Sequence, residues 1–382
     1  MILTVVVLVA SNLRIALSSL PPVATSIQAE TGWNDALIGA LTTVPVLAMG
    51  VFALGVPALA ERIGRRMAVT LALATMAVAM LLRLAGAVSA TLFASALLAG
   101  LAIAVIGGLV PGIVRDELSG SNGVAASLWT AALMGGAALG AVATVPLTEL
   151  LGGWNRALAF WALPACIALV AWLWLERRPT TSERPRITVR IRDLPWRNHI
   201  AWALTAMTTL NSIVFYSAIA WIAPSFQEQG FSAQTAGLFL GIFTGLHIAG
   251  ALVFPAWSHR TSARRTLFVA TIVSSSALIL VVGFQPLVAP ALILALLGFT
   301  LSGAFVMSLG LLSEYAADEA AAVRLTAMVF SVTFIVSSFG PFLAGVIMDA
   351  VGSWTLVYAL LAMIVLVQLI AVPPLRKNQV IN

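Results

Sequence analysis

The sequence predicts an all-α membrane protein of twelve transmembrane helices, arranged as two parallel six-helix repeats. Three observations carry the prediction. Of 382 residues, 61% are hydrophobic and 9% are charged, with a mean hydropathy of +1.04. Soluble proteins carry about a quarter of their residues as charges, so this chain cannot cover a water-facing surface, and a soluble enzyme is excluded. The apolar residues fall into twelve runs, each near the roughly 20 residues that one bilayer crossing needs. Glycine, proline and arginine also recur at one constant offset between the two halves.

The runs are bounded by polar and glycine/proline breaks. The first, 2–27, lacks a basic leading region and is too long for a cleaved signal peptide, so it is expected to remain as a span. The others in the first half are 35–60, 67–87, 90–115, 122–149 and 155–175. The second half gives 199–226, 233–257, 265–284, 287–313, 321–350 and 353–373. The polar segment 176–198, rich in Arg, Pro, Thr and Ser, divides the chain into bundles 1–175 and 199–382 joined by a basic linker. A shift of 198 positions pairs Gly32 with Gly230, Gly39 with Gly237, Pro57 with Pro255, Arg62 with Arg260, Gly100 with Gly298 and Gly112 with Gly310. Six spans per half give the repeats one orientation, related by an axis along the membrane normal, with a midplane cavity between them.

Twelve spans place both termini and the linker on one side. That side collects 17 of the 20 basic residues; only Arg14, Arg83 and Arg156 fall elsewhere. Positive-inside bias then puts it in the cytoplasm of an inner membrane. The net charge of +6 is thereby a topology signal helped by anionic lipid, and nucleic acid is not an expected partner. The single cysteine, Cys166, excludes a disulfide framework, a thiolate metal site and an iron–sulfur cluster. His199, His247 and His259 lie at different depths, so no metal site is expected, and neither a phosphate loop nor a nucleophile–base constellation is present; no cofactor is implied.

The segment Pro57-Ala58-Leu59-Ala60-Glu61-Arg62-Ile63-Gly64-Arg65-Arg66 resembles the major facilitator signature, with Pro57 in place of its leading glycine and Glu61 in place of its aspartate. A weaker copy runs from Pro255 to Arg265, with His259 where the acid would be. Read physically, Glu61, Arg62, Gly64, Arg65 and Arg66 form a short turn. Its arginines bond helix C-terminal carbonyls and pair with a carboxylate across the inner face, a cytoplasmic latch or, more plainly, an anchor. Within that superfamily the chain resembles the cyanate permease and nitroimidazole exporter family. The matching runs are Asn12-Leu13-Arg14, Pro21-Pro22, Leu41-Thr42-Thr43-Val44-Pro45, Pro111 to Asp116, Trp129 to Gly136, and Asn211 to Tyr216 with Trp221 and Pro224. The resemblance implies the major facilitator fold and a secondary transporter of small solutes, without fixing the substrate.

Arg14 is the most informative residue. It sits midway along its helix, where an arginine costs about 2.5–3.5 kcal/mol on insertion scales and marks a substrate path or a buried ion pair. No span carries a carboxylate near its middle, which favours a solute that brings negative charge or strong acceptors. Asn12 and Asn211, nearly in register in spans 1 and 7, are candidates to line the cavity or to bond between helices. Thr42 and Thr43 beside Pro45 are read as path lining or as backbone satisfaction at a kink. Tyr216 and Trp129 are read as aromatic walls or as packing. His247 is a candidate proton carrier or a neutral histidine bonded to a carbonyl. Arg83, a turn from the outer end of span 3, is expected to snorkel, with an outer-vestibule role as the alternative. Trp33, Trp154, Trp257 and Trp354 are read as interface anchors.

These readings predict a monomeric transporter working by alternating access on a small anionic or acceptor-rich solute, such as a cyanate-like anion, a small carboxylate or a nitroimidazole-like compound. A proton-coupled exporter of neutral compounds would want a midplane carboxylate. A membrane-embedded enzyme would want ionisable residues clustered at one depth. A transporter-derived receptor or scaffold would bind without flux.

Overall fold

The computed structural model describes residues 2–117, 122–176, 191–261, 263–371 and 381. Most of the expected linker, the arginines at 177–190, Arg376, Lys377 and the side chains of Arg115 and His259 lie outside the described residues. Twelve helices are long and apolar enough to cross a membrane. Spans 1–6 are Ile2–Thr31, Asp35–Ala53, Arg65–Ala85, Ser89–Val114, Leu128–Leu151 and Trp154–Leu175. Spans 7–12 are His199–Glu228, Ala233–Ser258, Arg264–Phe284, Pro290–Glu314, Glu319–Val351 and Trp354–Ala371. We call the face where span 1 begins and span 12 ends the proximal face, and its opposite the distal face.

Two local features differ from the sequence expectation. Span 1 is not one helix: Ile2–Ser18 gives way to a single 3-10 turn at Pro21–Val23, then Ala24–Thr31. Pro21 and Pro22 lack the N–H groups that would continue the first helix. The signature segment is not a short turn but a helix, Val56–Ile63, with Pro57 in its first turn where the missing donor costs nothing. The turn itself is confined to Gly64, at φ 81°. Pro45, by contrast, lies inside the unbroken helix Asp35–Ala53.

The repeat expected from the constant offset is visible in packing. Gly100 of span 4 lies against the backbone of Pro45 in span 2, and Gly298 of span 10 against the backbone of Phe243 in span 8. Each of these positions is its counterpart shifted by 198, and a Cβ at either glycine would meet a carbonyl oxygen. Asn34 caps span 2 by accepting from Leu37 N, and Ser232 caps span 8 by accepting from Thr235 N. At the distal face Trp154 Nε1 donates to Glu30 at 2.5 Å and Trp354 Nε1 to Glu228 at 2.7 Å. Both indoles are buried, so they are carboxylate partners inside each half rather than lipid-interface anchors; Trp257 is exposed.

The halves meet along two seams. Span 2 packs on span 11, and span 5 on span 8. Gly39 abuts Pro341 and Phe342, and Gly345 abuts Asp35. In the second seam Gly237 abuts Ala141 and Gly241 abuts Val142. Small residues let the backbones approach, which is how membrane helices associate without a hydrophobic drive between them. Polar clasps add to the seams near the distal face. Asp349 accepts from the backbone N–H groups of Asp35 and Ala36 at 2.9 and 2.8 Å. Gln227 accepts from Thr25 at 2.5 Å and donates to Pro22 O at 3.0 Å. The contacts named run toward the distal face, and nearer the proximal end of span 2 Gly50 still abuts Phe334 and Ile335 of span 11.

Candidate functional site

Arg14 stands on the inter-half side of span 1, in the segment Ile2–Ser18 that precedes the proline break. Its guanidinium lies over the rings of Phe215 and Tyr216, 5.6 Å from each centroid, and Nη1 donates to Tyr216 Oη at 3.4 Å. Among the described residues no carboxylate is paired with it. The contact joins the two halves at mid-membrane depth, span 1 supplying the cation and span 7 the aromatic faces. A guanidinium held by ring faces and one long hydroxyl contact keeps donors for an incoming acceptor. Phe215 is the member of this group that sequence reading did not single out, although it adjoins Tyr216.

The other candidates are distributed rather than gathered. Thr42 donates to Gly39 O at 2.9 Å and lines a small cavity that Tyr216 also lines. Thr43 donates to Ser338 O at 2.6 Å across the span 2–span 11 seam. Asn12 turns away from Arg14: its amide donates to Leu8 O and to Pro164 O of span 6, at 2.7 and 3.2 Å. Asn211 is buried within the second half, where it donates to Leu301 O at 3.2 Å. Trp129 is half-buried against the apolar core. His247 is buried with its ring 4.8 Å from Phe215, on the wall that supports Arg14, and its Nδ1 has no partner among the described residues.

Arg83 does not snorkel. Its side chain is 4% exposed and turns inward, Nε donating to Ser95 Oγ at 2.9 Å, Nη1 to Ser19 Oγ at 3.4 Å and Nη2 to Ala16 O at 3.1 Å. It lines the same cavity as Thr42 and Tyr216. On the proximal face Arg264 of the second signature copy pairs with Glu314 at 2.8 Å and donates to Ser258 O at 2.9 Å. In the first copy Trp172 Nε1 donates to Arg66 O at 3.4 Å, and Arg62 is exposed. Among the described residues no cluster of His, Cys, Asp or Glu is placed to hold a metal ion.

Twelve spans in two repeats, joined along two seams around a central arginine, are matched by the sequence profile described as Major Facilitator Superfamily, which covers residues 3–334 and 202–379. The chain belongs to that superfamily. It is accordingly a multi-pass membrane transporter and not an enzyme. The cyanate transport protein CynX of Escherichia coli K12 is 32% identical over 368 residues, covering 95% of this chain and 94% of CynX. The 2-nitroimidazole transporter of the same organism is 30% identical over 362 residues, covering 92% and 88%. Among solved structures, a bacterial homolog of the human lysosomal transporter Spinster, inward-facing and occupied, superposes with a TM-score of 0.77 at 14% identity, over 97% of this chain and 94% of that one. A D-xylose–proton symporter superposes at 0.73 with 15% identity, over 100% and 98%. These structural neighbours share the fold.

Proposed function

We propose that this major facilitator is a secondary transporter that moves a small anionic or acceptor-rich solute across the inner membrane by alternating access, with Arg14 as the central binding group. One observation carries the reading. At mid-membrane depth, between the halves, Arg14 is held by ring faces and a 3.4 Å contact to Tyr216, with no paired carboxylate among the described residues. A half-buried cation midway along its span, without a counter-ion, favours a ligand that supplies one. The relatives, a cyanate transport protein and a 2-nitroimidazole transporter, are compatible with a compact acceptor-rich solute.

In this reading the bundles 1–175 and 199–382 rock about the site as a monomer, joined by the linker 176–198, with both termini cytoplasmic. The distal seams then close the outer side. Tyr216 and Phe215 form the wall opposite Arg14, and Thr42 lines the approach. Asn12 and Asn211 hold helices, Thr43 clasps the seam, and Trp129 packs. His247, behind Phe215, is the candidate carrier of a coupling proton.

The test is binding by purified protein of cyanate, formate and 2-nitroimidazole, followed by flux in liposomes. Arg14→Ala should lose about 2–5 kcal/mol of anion binding, the range for a desolvated charge pair, while remaining folded. Arg14→Lys should recover part of it, since it keeps the charge but not the planar fork. For a permanently ionised substrate, His247→Gln should change the pH dependence of flux. Wild-type affinity in Arg14→Ala would defeat the proposal.

A further inference from the structure

A second arginine, Arg83, is buried where Arg14 is half-buried, and it makes none of the contacts that hold the Arg14 guanidinium. Arg83 reaches inward from the distal end of span 3, and its three named hydrogen bonds go to a backbone carbonyl and two serine hydroxyls. All three partners are neutral and belong to the same half. A guanidinium carries five N–H donors and keeps its charge in any protein environment. Among the described residues no carboxylate is paired with it. Clamping spans 1, 3 and 4 together needs only donors, which a neutral amide supplies without burying a charge.

The surroundings of Arg83 have a direction and a chemistry. Its partners Ala16 and Ser19 lie two and five residues beyond Arg14 along span 1. At 1.5 Å per residue that is about 3–8 Å farther toward the distal face. The two arginines are linked by Tyr216, whose hydroxyl is bonded by Arg14 and whose side chain lines the cavity that Arg83 also lines. That cavity is about 20 Å³, with Thr42 as its other polar side chain and leucine, alanine, valine, isoleucine and proline around the rest. At about 20 Å³ the cavity has room for little more than one water, so an anion enters only as the seams part and the chamber widens; an apolar chamber with a fixed cation then suits a singly charged anion of a few heavy atoms. A strongly hydrated, multiply charged anion loses more than the apolar lining returns.

We infer that Arg83 is a second anion-binding group, a distal station on the path that exchanges a compact monoanion with Arg14. The inference rests on the anion reading of Arg14 and narrows its substrate class to small monoanions. The distal seams cover this station in the present conformation, so its charge faces the outer side only when those seams part. Arg14 would hold the anion at the centre, and Arg83 would lower the barrier between centre and outer face.

The experiment uses the full chain in liposomes, with labelled thiocyanate and formate as probes, inorganic phosphate as the contrasting anion, and equilibrium binding and counterflow as readouts. Arg83→Gln should slow counterflow at least about tenfold, the size expected when a charge-assisted hydrogen bond to the anion is lost, while central binding stays within about threefold. Arg83→Lys should restore part of the rate but shift the formate-to-thiocyanate ratio, because lysine keeps the charge and loses the fork. Arg14→Gln should abolish binding itself. If Arg14→Gln loses binding while Arg83→Gln exchanges both probes at the wild-type rate, the distal station is overturned and the central reading stands. If wild-type protein binds neither probe, or prefers phosphate, both fall. Should Arg83→Gln fail to insert, Arg83→Lys decides: a purely structural clamp lowers thermal stability and leaves the probe ratio unchanged, and that result overturns the inference.

Discussion

The distal closure can be weakened at one residue. Asp349, near the end of span 11, accepts from two consecutive N–H groups, Asp35 and Ala36, at the start of span 2 in the other half. These are donors that a helix leaves unpaired at its N-terminus, and a carboxylate there also meets the positive end of the helix dipole. Losing a capping side chain costs about 0.5–2 kcal/mol. Asp349 holds two such donors, which doubles that range, but the bonds are exposed and water replaces part of the loss, so about 1–2 kcal/mol is the working figure for Asp349→Ala. In the proposed cycle the bonds exist only while the distal seam is shut, so the whole loss falls on that state and shifts the open-to-closed ratio about 5–30-fold. Leu20, buried beside the cavity, reports opening when replaced by cysteine in a Cys166→Ala background. A membrane-impermeant maleimide applied from outside should label Leu20→Cys slowly, and about 5–30 times faster when Asp349→Ala is added. Asp349→Asn should fall between, since one acceptor oxygen remains. An unchanged labelling rate in inserted Asp349→Ala protein would refute the clasp and leave the closure to the Gly39, Gly237 and Gly345 contacts.

Gly100→Ala and Gly298→Ala should each destabilise the detergent-solubilised protein by about 1–3 kcal/mol through overpacking. Gly107→Ala, where a Cβ meets nothing within 4 Å, should not, and thermal melts compare the three. Sidedness is checked by single cysteines: Ala263→Cys on the proximal face should react only from the cytoplasm, and Gln285→Cys on the distal face only from outside. Arg62→Ala and Glu61→Ala should slow turnover far more than they weaken equilibrium binding. Wild-type turnover in both would reduce the signature to an anchor.

Depth was legible in the sequence; direction around each helix was not. Rise per residue converts position into height, which is why the twelve spans, the mid-membrane placement of Arg14 and the repeat could be read from the chain. Azimuth needs a polar face, and spans that are apolar nearly all round offer none. The sequence therefore leaves Asn12 open between lining the cavity beside Arg14 and bonding a neighbouring helix, although residues two apart on a helix differ by roughly 200°. That angle alone forbids a shared face, and Asn12 indeed bonds span 6. Arg83 failed for the same reason: its height permits snorkelling, but Ala16, Ser19 and Ser95 draw it inward. The Trp154–Glu30 and Trp354–Glu228 pairs escaped because the glutamates repeat at 198 and the tryptophans at 200, so one rigid shift shows only half of each pair.

The repeat and the chemistry follow different symmetries, and that difference bears on how a solute is handled. Glycine contacts, helix caps and Trp–Glu pairs occur once in each half, so either half offers the same scaffold. The arginines do not: the position equivalent to Arg14 is Ser212, and that equivalent to Arg83 is Val281. Both cations ride on the first bundle, while Phe215, Tyr216 and His247 ride on the second. Any rocking of one bundle against the other must change the Arg14–Tyr216 contact, because its two members move with different bodies. At 3.4 Å with a neutral phenol, the contact is weak compared with a charge-assisted bond to an anion. In the proposed cycle, a ligand that replaces it would gain energy where the bundles separate, and occupancy of Arg14 would be coupled to the motion without a second charge in the partner bundle.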